Sequence, residues 1–204
     1  MHVLPLVGLL LLIGVAFCWR LWWQRRRYGT WGLAVFRSAD VGQTGRAALA
    51  ALLFVVLLGQ AIMAATSPEW LAARRVDGEA MPQAIPLLGA TLMFGGVLLV
   101  IAAQLHLGRA WRIGIDHDAR PGLVTNGLYR FCRNPIYLGL LIAVVGYTVL
   151  VPTPLSIALM VGAYIGVRLQ IAAEERYLAR AYGAEYLGYA RRVGRLLPGI
   201  GKFR

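Results

Sequence analysis

The sequence predicts an all-α, polytopic membrane protein with about five transmembrane helices and a cytoplasmic carboxyl-terminal helix. Three observations lead to this fold class. Of 204 residues, 59% are hydrophobic and 15% are charged, a composition too apolar for an ordinary soluble domain. Several apolar runs reach or approach the ~20 residues that cross a bilayer. Arginines are concentrated in alternate connecting segments, as in multi-span membrane proteins.

The apolar runs give the predicted helices in order. The candidate spans are residues 3–23, 47–65, 84–105, 136–151 and 155–173. The first run lacks a basic start and ends in Trp22, Trp23 and Arg25 instead of a small-residue cleavage site, so it predicts a retained helix and not a signal peptide. The fourth run is short, which predicts a tilted or closely packed helix within a hairpin.

The distribution of basic residues predicts the orientation. Between the second and third spans only Arg74 and Arg75 occur, and nearby acidic residues offset them. The segments between spans one and two, between spans three and four, and after span five are all rich in arginine. By the positive-inside rule, we expect the amino terminus outside and the carboxyl terminus in the cytoplasm.

The net charge of +12 is explained by this topology and by contact with anionic lipid headgroups. No nucleic-acid-binding motif accompanies it, so we expect membrane lipids and no nucleic acid as partners. The cysteines, Cys18 and Cys132, have neither a disulfide pattern nor metal-ligand spacing. The three histidines lack the paired spacing of a zinc site, so we expect no metal.

Two regions are distinguished by their polar residues. Residues 1–83 are interpreted as a two-span scaffold, and residues 84–204 as the functional region, where polar side chains gather at the predicted cytoplasmic ends of the spans.

The segment Pro152–Pro154 breaks the apolar run and predicts an antiparallel hairpin of spans four and five. This hairpin brings Tyr137 near Glu174. We expect small residues to let its two helices approach closely: Gly139, Gly146, Gly162 and Gly166.

A polar cluster and a glutamate pair indicate a site at one membrane edge. The first is Arg133-Asn134-Pro135-Ile136-Tyr137, and the second is Glu174-Glu175. Glu174 directly follows an apolar span, where an ionisable residue is expected to be paired or functional. A solvated helix face is the alternative interpretation. We expect the partner of Glu174 to be Arg133 or a positively charged ligand.

Five ordered motifs carry a family resemblance. They are the segments 123–129, 133–137, 174–178, 182–189 and 197–198. Together they resemble the isoprenylcysteine carboxyl methyltransferase family over roughly residues 84 to 200. The resemblance implies a non-Rossmann methyltransferase that uses S-adenosylmethionine and a lipophilic acceptor arriving through the bilayer. The absence of a Gly-x-Gly-x-x-Gly motif is consistent with this.

The resemblance also implies the residues that hold the cofactor. These are Pro121, Gly122, Leu123, Val124, Tyr129, Arg133, Asn134, Pro135, Ile136, Tyr137 and Glu174. Two positions depart from the family pattern. Asn134 replaces a histidine found in many members, and Gln170 replaces the arginine that receives the acceptor carboxylate. Gln170 and the nearest cation, Arg168, are therefore the candidates for acceptor positioning, and the acceptor is open among a carboxylate, thiol, phenol or amine.

Other functions are also compatible with these features. A membrane reductase of the sterol-reductase type would bind NADPH, using arginines such as Arg109, Arg112 and Arg133 for its phosphates. A non-enzymatic scaffold would explain the spans but not the ordered motifs. No convincing general base is evident, which favours catalysis by positioning, with contributions from His106, His117 or a tyrosine left open.

Overall fold

The computed structural model describes residues 2–34, 41–76, 82–115 and 122–203. The helices are α1 (Leu4–Leu11), a π-helical segment (Leu12–Trp19), α2 (Arg20–Tyr28), α3 (Val41–Thr66), α4 (Pro68–Ala72), α5 (Ala84–Leu107), α6 (Pro135–Leu150) and α7 (Pro154–Arg192). Short 3-10 turns occupy Gly108–Ala110 and Gly127–Arg130. Within the described ranges, the regular secondary structure is helical, with two isolated β-bridges.

The membrane-protein fold class is confirmed. In the part of the chain that the structure describes, four helices are long and apolar enough to cross a membrane: Leu4–Tyr28, Val41–Thr66, Ala84–Ala110 and Pro154–Arg192. Helix α6 has 16 residues and is shorter, as the sequence predicts for the fourth span. The first long helix joins α1 and α2 through the π-helical segment without interruption.

Helices α5 and α6 form the most extensively packed pair. A Cβ atom added at Gly96 of α5 would lie 2.5 Å from backbone atoms of Gly139 and Ala143, and one at Gly146 would overlap the backbone of Met93. Only glycine permits this approach. We expected the glycines of spans four and five to let these two spans approach each other closely. This expectation is wrong, because the glycines pack against other helices. Gly139 and Gly146 pack against α5, and Gly162 and Gly166 lie nearest Leu53 and Leu49 of α3.

Gly96→Ala is expected to lower the free energy of unfolding by about 1–3 kcal/mol, since backbone atoms must move to admit the methyl group. The neighbouring Gly95 is a matched control, because no heavy atom of a described residue outside its own stretch of helix lies within 4 Å of its added Cβ. Gly95→Ala should be neutral or slightly stabilising through helix propensity. Thermal unfolding of both variants in detergent tests this, and equal midpoints would contradict the close packing.

The predicted hairpin of α6 and α7 is confirmed. Thr153 caps α7, accepting a hydrogen bond from the backbone N–H of Ser156 at 3.1 Å, and Pro154 begins the helix. Gln60 of α3 donates to the Thr153 hydroxyl at 2.6 Å. The turn is therefore held against α3 by buried polar contacts.

Helix α7 continues beyond the predicted end of span five. Its regular backbone runs to Gly183, where non-helical dihedral angles separate it from a second helical stretch that ends at Arg192, so the carboxyl-terminal helix that the sequence predicts follows this kink. No proline or glycine interrupts the helix between Ala173 and Gly183, where φ is +50° and the chain kinks. After this kink, Tyr186 and Tyr189 are buried, and Phe203 lies edge-on to the Tyr186 ring.

Candidate functional site

A cavity of about 850 Å³ begins at the end of the α6–α7 hairpin away from its turn and extends into the helix bundle. We call its hydrophilic part the polar section, which includes Gln43, Arg46, Gln104, Arg112, Tyr129, Tyr137, Gln170 and Glu174. We call the remainder the apolar section, which includes Leu9, Leu12, Leu53, Phe54, Leu57, Val97, Leu140, Ala143 and Val167. Helices α1 and α3 thus share the wall with α5, α6 and α7. The cavity suits an amphiphilic occupant.

Among the described residues that line the cavity, Glu174 is the acidic one. The hairpin places it beside Tyr137, as the sequence predicts, and the Tyr137 hydroxyl donates to Glu174 Oε1 at 2.5 Å. The side-chain amide of Gln170, one turn earlier on α7, donates to the same oxygen at 2.8 Å. These two bonds hold the carboxylate in one orientation at the cavity wall.

Arg46 extends this hydrogen-bonded group to α3. Its Nε donates to Gln170 Oε1 at 2.8 Å, and the side chain is half-buried. Gln170 therefore uses its oxygen toward Arg46 and its nitrogen toward Glu174. The order Arg46, Gln170, Glu174, Tyr137 links three helices through side chains that line the cavity.

Arg133 pairs with Glu175, not with Glu174. The Arg133–Glu175 ion pair spans 2.9 Å, with the two side chains only 1% and 3% exposed, and Arg195 reaches the other Glu175 oxygen at 2.6 Å. The expected Arg133 partner for Glu174 is therefore wrong. Successive residues of a helix point in different directions, so only one of the two glutamates can face Arg133. The solvated-face interpretation of Glu175 is also wrong.

Arg133 further anchors the chain after α7. Its guanidinium donates to the carbonyls of Ala190, Val193 and Gly201 at 2.8, 2.5 and 3.0 Å. Asn134 donates to the Arg195 carbonyl at 3.0 Å. The side chains before α6 therefore tie the carboxyl-terminal segment to the base of the hairpin.

Tyr129 lies in the 3-10 turn Gly127–Arg130, between spans, and lines the polar section. Burial raises the pKa of its hydroxyl, and the nearby Glu174 charge raises it further. The phenol therefore stays protonated near neutral pH. Tyr129 is suited to donating a hydrogen bond or packing against a ligand, and unsuited to acting as a general base.

Most of the residues implied for the cofactor border the cavity. Those that line it are Gly122, Leu123, Val124, Tyr129, Arg133, Asn134, Ile136, Tyr137 and Glu174. Pro135 is buried at the first turn of α6, and Pro121 lies outside the described residues. Gln170 lines the cavity, whereas the exposed Arg168 donates to the Tyr164 hydroxyl and is not among the lining residues.

Neither of the two histidines left open for catalysis is among the described residues that line the cavity. His106 is exposed and contacts the Ala102 carbonyl at 2.8 Å, and it is absent from the cavity lining. His117 lies outside the described residues.

The sequence interpretation missed the contribution of residues before position 84. Arg46 and Gln43 of α3 line the polar section, although their region was interpreted as scaffold. Arg46 stands immediately before an apolar run, which is the signal that drew attention to Glu174. Applied to every span, that criterion would have found Arg46.

Comparison with known proteins identifies methyltransferase relatives. A family model described as phospholipid methyltransferase matches residues 85–185, about half of the chain. Protein-S-isoprenylcysteine O-methyltransferase A of Arabidopsis thaliana is 34% identical over 113 residues, which cover 54% of this chain and 57% of that protein. Methanethiol S-methyltransferase 1 of Bradyrhizobium diazoefficiens is 28% identical over 183 residues, covering 85% of this chain and 60% of that one. The chain thus spans under two thirds of either relative.

The fold is also similar to that of a solved structure. The eukaryotic intramembrane Ras methyltransferase ICMT aligns with a TM-score of 0.55 and 20% identity, covering 82% of this chain and 56% of that one. The family match, the relatives and the shared helical fold agree with the five ordered motifs. The chain is an integral membrane protein that belongs to the isoprenylcysteine carboxyl methyltransferase family.

Proposed function

We propose that the protein transfers a methyl group from S-adenosylmethionine to a lipophilic acceptor within the membrane. The observation that carries this proposal is the continuous cavity, in which a polar section containing Glu174 opens into an apolar section between membrane helices. A hydrophilic cofactor and a lipophilic acceptor need this combination of environments in one space. The methyltransferase names of the relatives support the same reaction class.

The polar section fits the chemistry of S-adenosylmethionine. The Glu174 carboxylate is suited to the cofactor's ammonium group, and the rings of Tyr129 and Tyr137 are suited to contact its adenine and sulfonium. Gly122 has φ of +96°, and no heavy atom of another described residue, its chain neighbours aside, lies within 4 Å of an added Cβ, which leaves space for a ligand beside its backbone. When bound, the cofactor would supply a methyl group on a positively charged sulfur.

The residues of the chain would catalyse this reaction by position and by exclusion of water. Glu174 and the tyrosines hold one reactant at the polar section, and the apolar helices deliver the other from the bilayer. An ionised carboxylate or thiolate acceptor has a lone pair ready to attack, so it requires no general base. The protonated Tyr129 hydroxyl, which cannot accept a proton from the acceptor, is compatible with such a reaction.

We also propose that the polar section faces the cytoplasm, with the amino terminus outside, because the arginine-rich segments lie at that end. In this proposal the two regions of the chain have different roles, and residues 84–204 hold the cofactor. Residues 1–83 contribute α1 and α3 to the wall of the acceptor space. The reductase and scaffold hypotheses offer no account of a glutamate held toward a joint polar and apolar cavity.

Calorimetric titration of the detergent-purified protein with S-adenosylhomocysteine tests the proposal, with NADPH titrated in parallel. We expect saturable binding of S-adenosylhomocysteine alone. Binding of NADPH alone would support the reductase, and binding of neither would support the scaffold. Either of these two results would overturn the methyltransferase proposal.

A further inference from the structure

We propose that Arg20 and Gln24 of the first long helix are positioning residues for the cofactor, acting through the chain that follows α5. We call this chain, residues 108–115, the wall segment. The inference rests on the proposed methyl transfer and gives the first helix a role in cofactor affinity. That helix precedes residues 85–185, which match the family model.

The wall segment borders the cavity with backbone that is not part of a long helix. After the 3-10 turn Gly108–Ala110, the chain is extended at Trp111. Gly122 and Leu123, which the family resemblance implies for the cofactor, line the same cavity. Irregular backbone in a membrane bundle needs hydrogen-bond partners from elsewhere in the protein. The residues of the wall segment that line the cavity are Ala110, Trp111, Arg112, Ile113, Gly114 and Ile115.

The first helix supplies partners where the wall segment begins. Arg20 Nη2 donates to the Gly108 carbonyl at 2.7 Å and to the Gln104 carbonyl at 3.4 Å. One turn later, Gln24 Nε2 donates to the Arg109 carbonyl at 3.3 Å. Carbonyls at the end of a helix lack partners within that helix, and a cation is favourable beside them. Arg20 and Gln24 therefore cap α5 and fix the start of the wall segment.

Trp111 of the wall segment is held from the same side. The Arg20 guanidinium lies 4.7 Å from the centroid of the Trp111 ring, which is 3% exposed and lines the cavity. A Cβ atom added at Gly32 would lie 3.2 Å from this ring. The Ile113 N–H donates to the Gly32 carbonyl at 2.7 Å, and the Ala34 N–H donates to the Ile113 carbonyl at 2.9 Å. Contacts from residues 20–34 thus fix both the ring and the backbone of the wall.

The location of Arg20 supports a functional role for these contacts. Its side chain is 1% exposed and lies inside the first candidate membrane span, where an ionisable residue is expected to be paired or functional. The π-helical segment ends immediately before it, and such segments are frequent at functional sites. Without Arg20, Trp111 and its neighbours would have to be ordered when the cofactor binds. That ordering would lower the affinity.

Calorimetric titration of the detergent-purified protein with S-adenosylhomocysteine tests the role of Arg20. Arg20→Met removes the hydrogen-bond donors and should raise the dissociation constant by about 5- to 30-fold. In Arg20→Lys an ammonium can still donate to the Gly108 carbonyl but cannot stack on Trp111 as a guanidinium does, so its dissociation constant should lie between those of wild type and Arg20→Met. Gln24→Met, a milder change, should raise the dissociation constant at least about threefold.

Gln60→Met is the control that separates positioning from a merely structural role. Gln60 is 4% exposed, so it is buried like Gln24, and it donates to the Thr153 hydroxyl at 2.6 Å. It does not line the cavity and has no bond to the wall segment among the described residues. Gln60→Met should lower the thermal unfolding midpoint and leave the dissociation constant for S-adenosylhomocysteine within about twofold of wild type.

Three results would overturn the inference. The first is wild-type affinity in Arg20→Met or, should that variant not fold, in Gln24→Met. The second is a loss of affinity in Gln60→Met as large as in the first-helix variants, which would show that affinity merely follows stability. The third is an Arg20→Lys affinity no better than that of Arg20→Met. Failure of the wild-type protein to bind S-adenosylhomocysteine would instead reject the proposed function itself.

Discussion

Glu174→Ala is expected to raise the dissociation constant for S-adenosylhomocysteine by roughly 30-fold or more. Removing one partner from a desolvated, hydrogen-bonded charge pair costs about 2–5 kcal/mol of binding free energy. Glu174 is oriented by Tyr137 and Gln170 at the cavity wall, so its carboxylate is ready to meet a ligand's ammonium group. Calorimetry on the folded variant measures the change.

Glu185→Ala is the matched control for this prediction. Glu185 lies on the same helix, but its side chain is exposed and does not line the cavity. Its replacement should leave the dissociation constant within about twofold, as is usual for surface changes of under 0.5 kcal/mol. Similar dissociation constants for Glu174→Ala and Glu185→Ala would remove Glu174 from the proposed cofactor site.

Glu175→Ala is expected to lower the free energy of unfolding by about 3–5 kcal/mol, because it leaves the buried Arg133 without its carboxylate partner. Glu175 is 3% exposed and contacts both Arg133 and Arg195. Arg133 also donates to three carbonyls at and beyond the end of α7, so the loss should loosen that segment. Denaturant or thermal unfolding in detergent gives the measurement.

The adjacent Arg176 provides the comparison for Glu175. Its side chain is exposed, so Arg176→Ala should change stability by no more than about 0.5 kcal/mol. An unfolding midpoint for Glu175→Ala equal to that of Arg176→Ala would show that the buried ion pair contributes no stability. We therefore expect different effects from substituting the two glutamates: the change at Glu174 should lower ligand affinity, and the change at Glu175 should lower stability.

Several parts of the site were predictable because they depend on local chain properties. The apolar runs and Pro152–Pro154 predicted the α6–α7 hairpin, and the hairpin alone brings Tyr137 to Glu174. Helix α7 was predicted less well. Its start follows from a proline and a cap, but its continuation past the membrane edge leaves no apolar signal in the sequence.

The partners of particular side chains were not predictable in this way. Glu174 and Glu175 are chemically identical neighbours, and only the rotation of α7 against α6 decides that Glu175 meets Arg133. Likewise, the glycines of α6 predict that another helix approaches closely, but they do not predict that this helix is α5. Small-residue patterns carry no information on which helix packs against them.

The sequence by itself determined the membrane class, the approximate spans, the hairpin and the family, because composition, run length, proline placement and ordered motifs are properties of the chain read in order. Only the tertiary structure decided that α1 and α3 wall the cavity and that Arg46 stands beside Gln170. Those contacts join residues far apart in sequence. They depend on how the helices are arranged and rotated about their axes. The sequence does not reveal this rotation, because the helix faces that contact lipid and the faces that contact other helices are apolar and similar in composition.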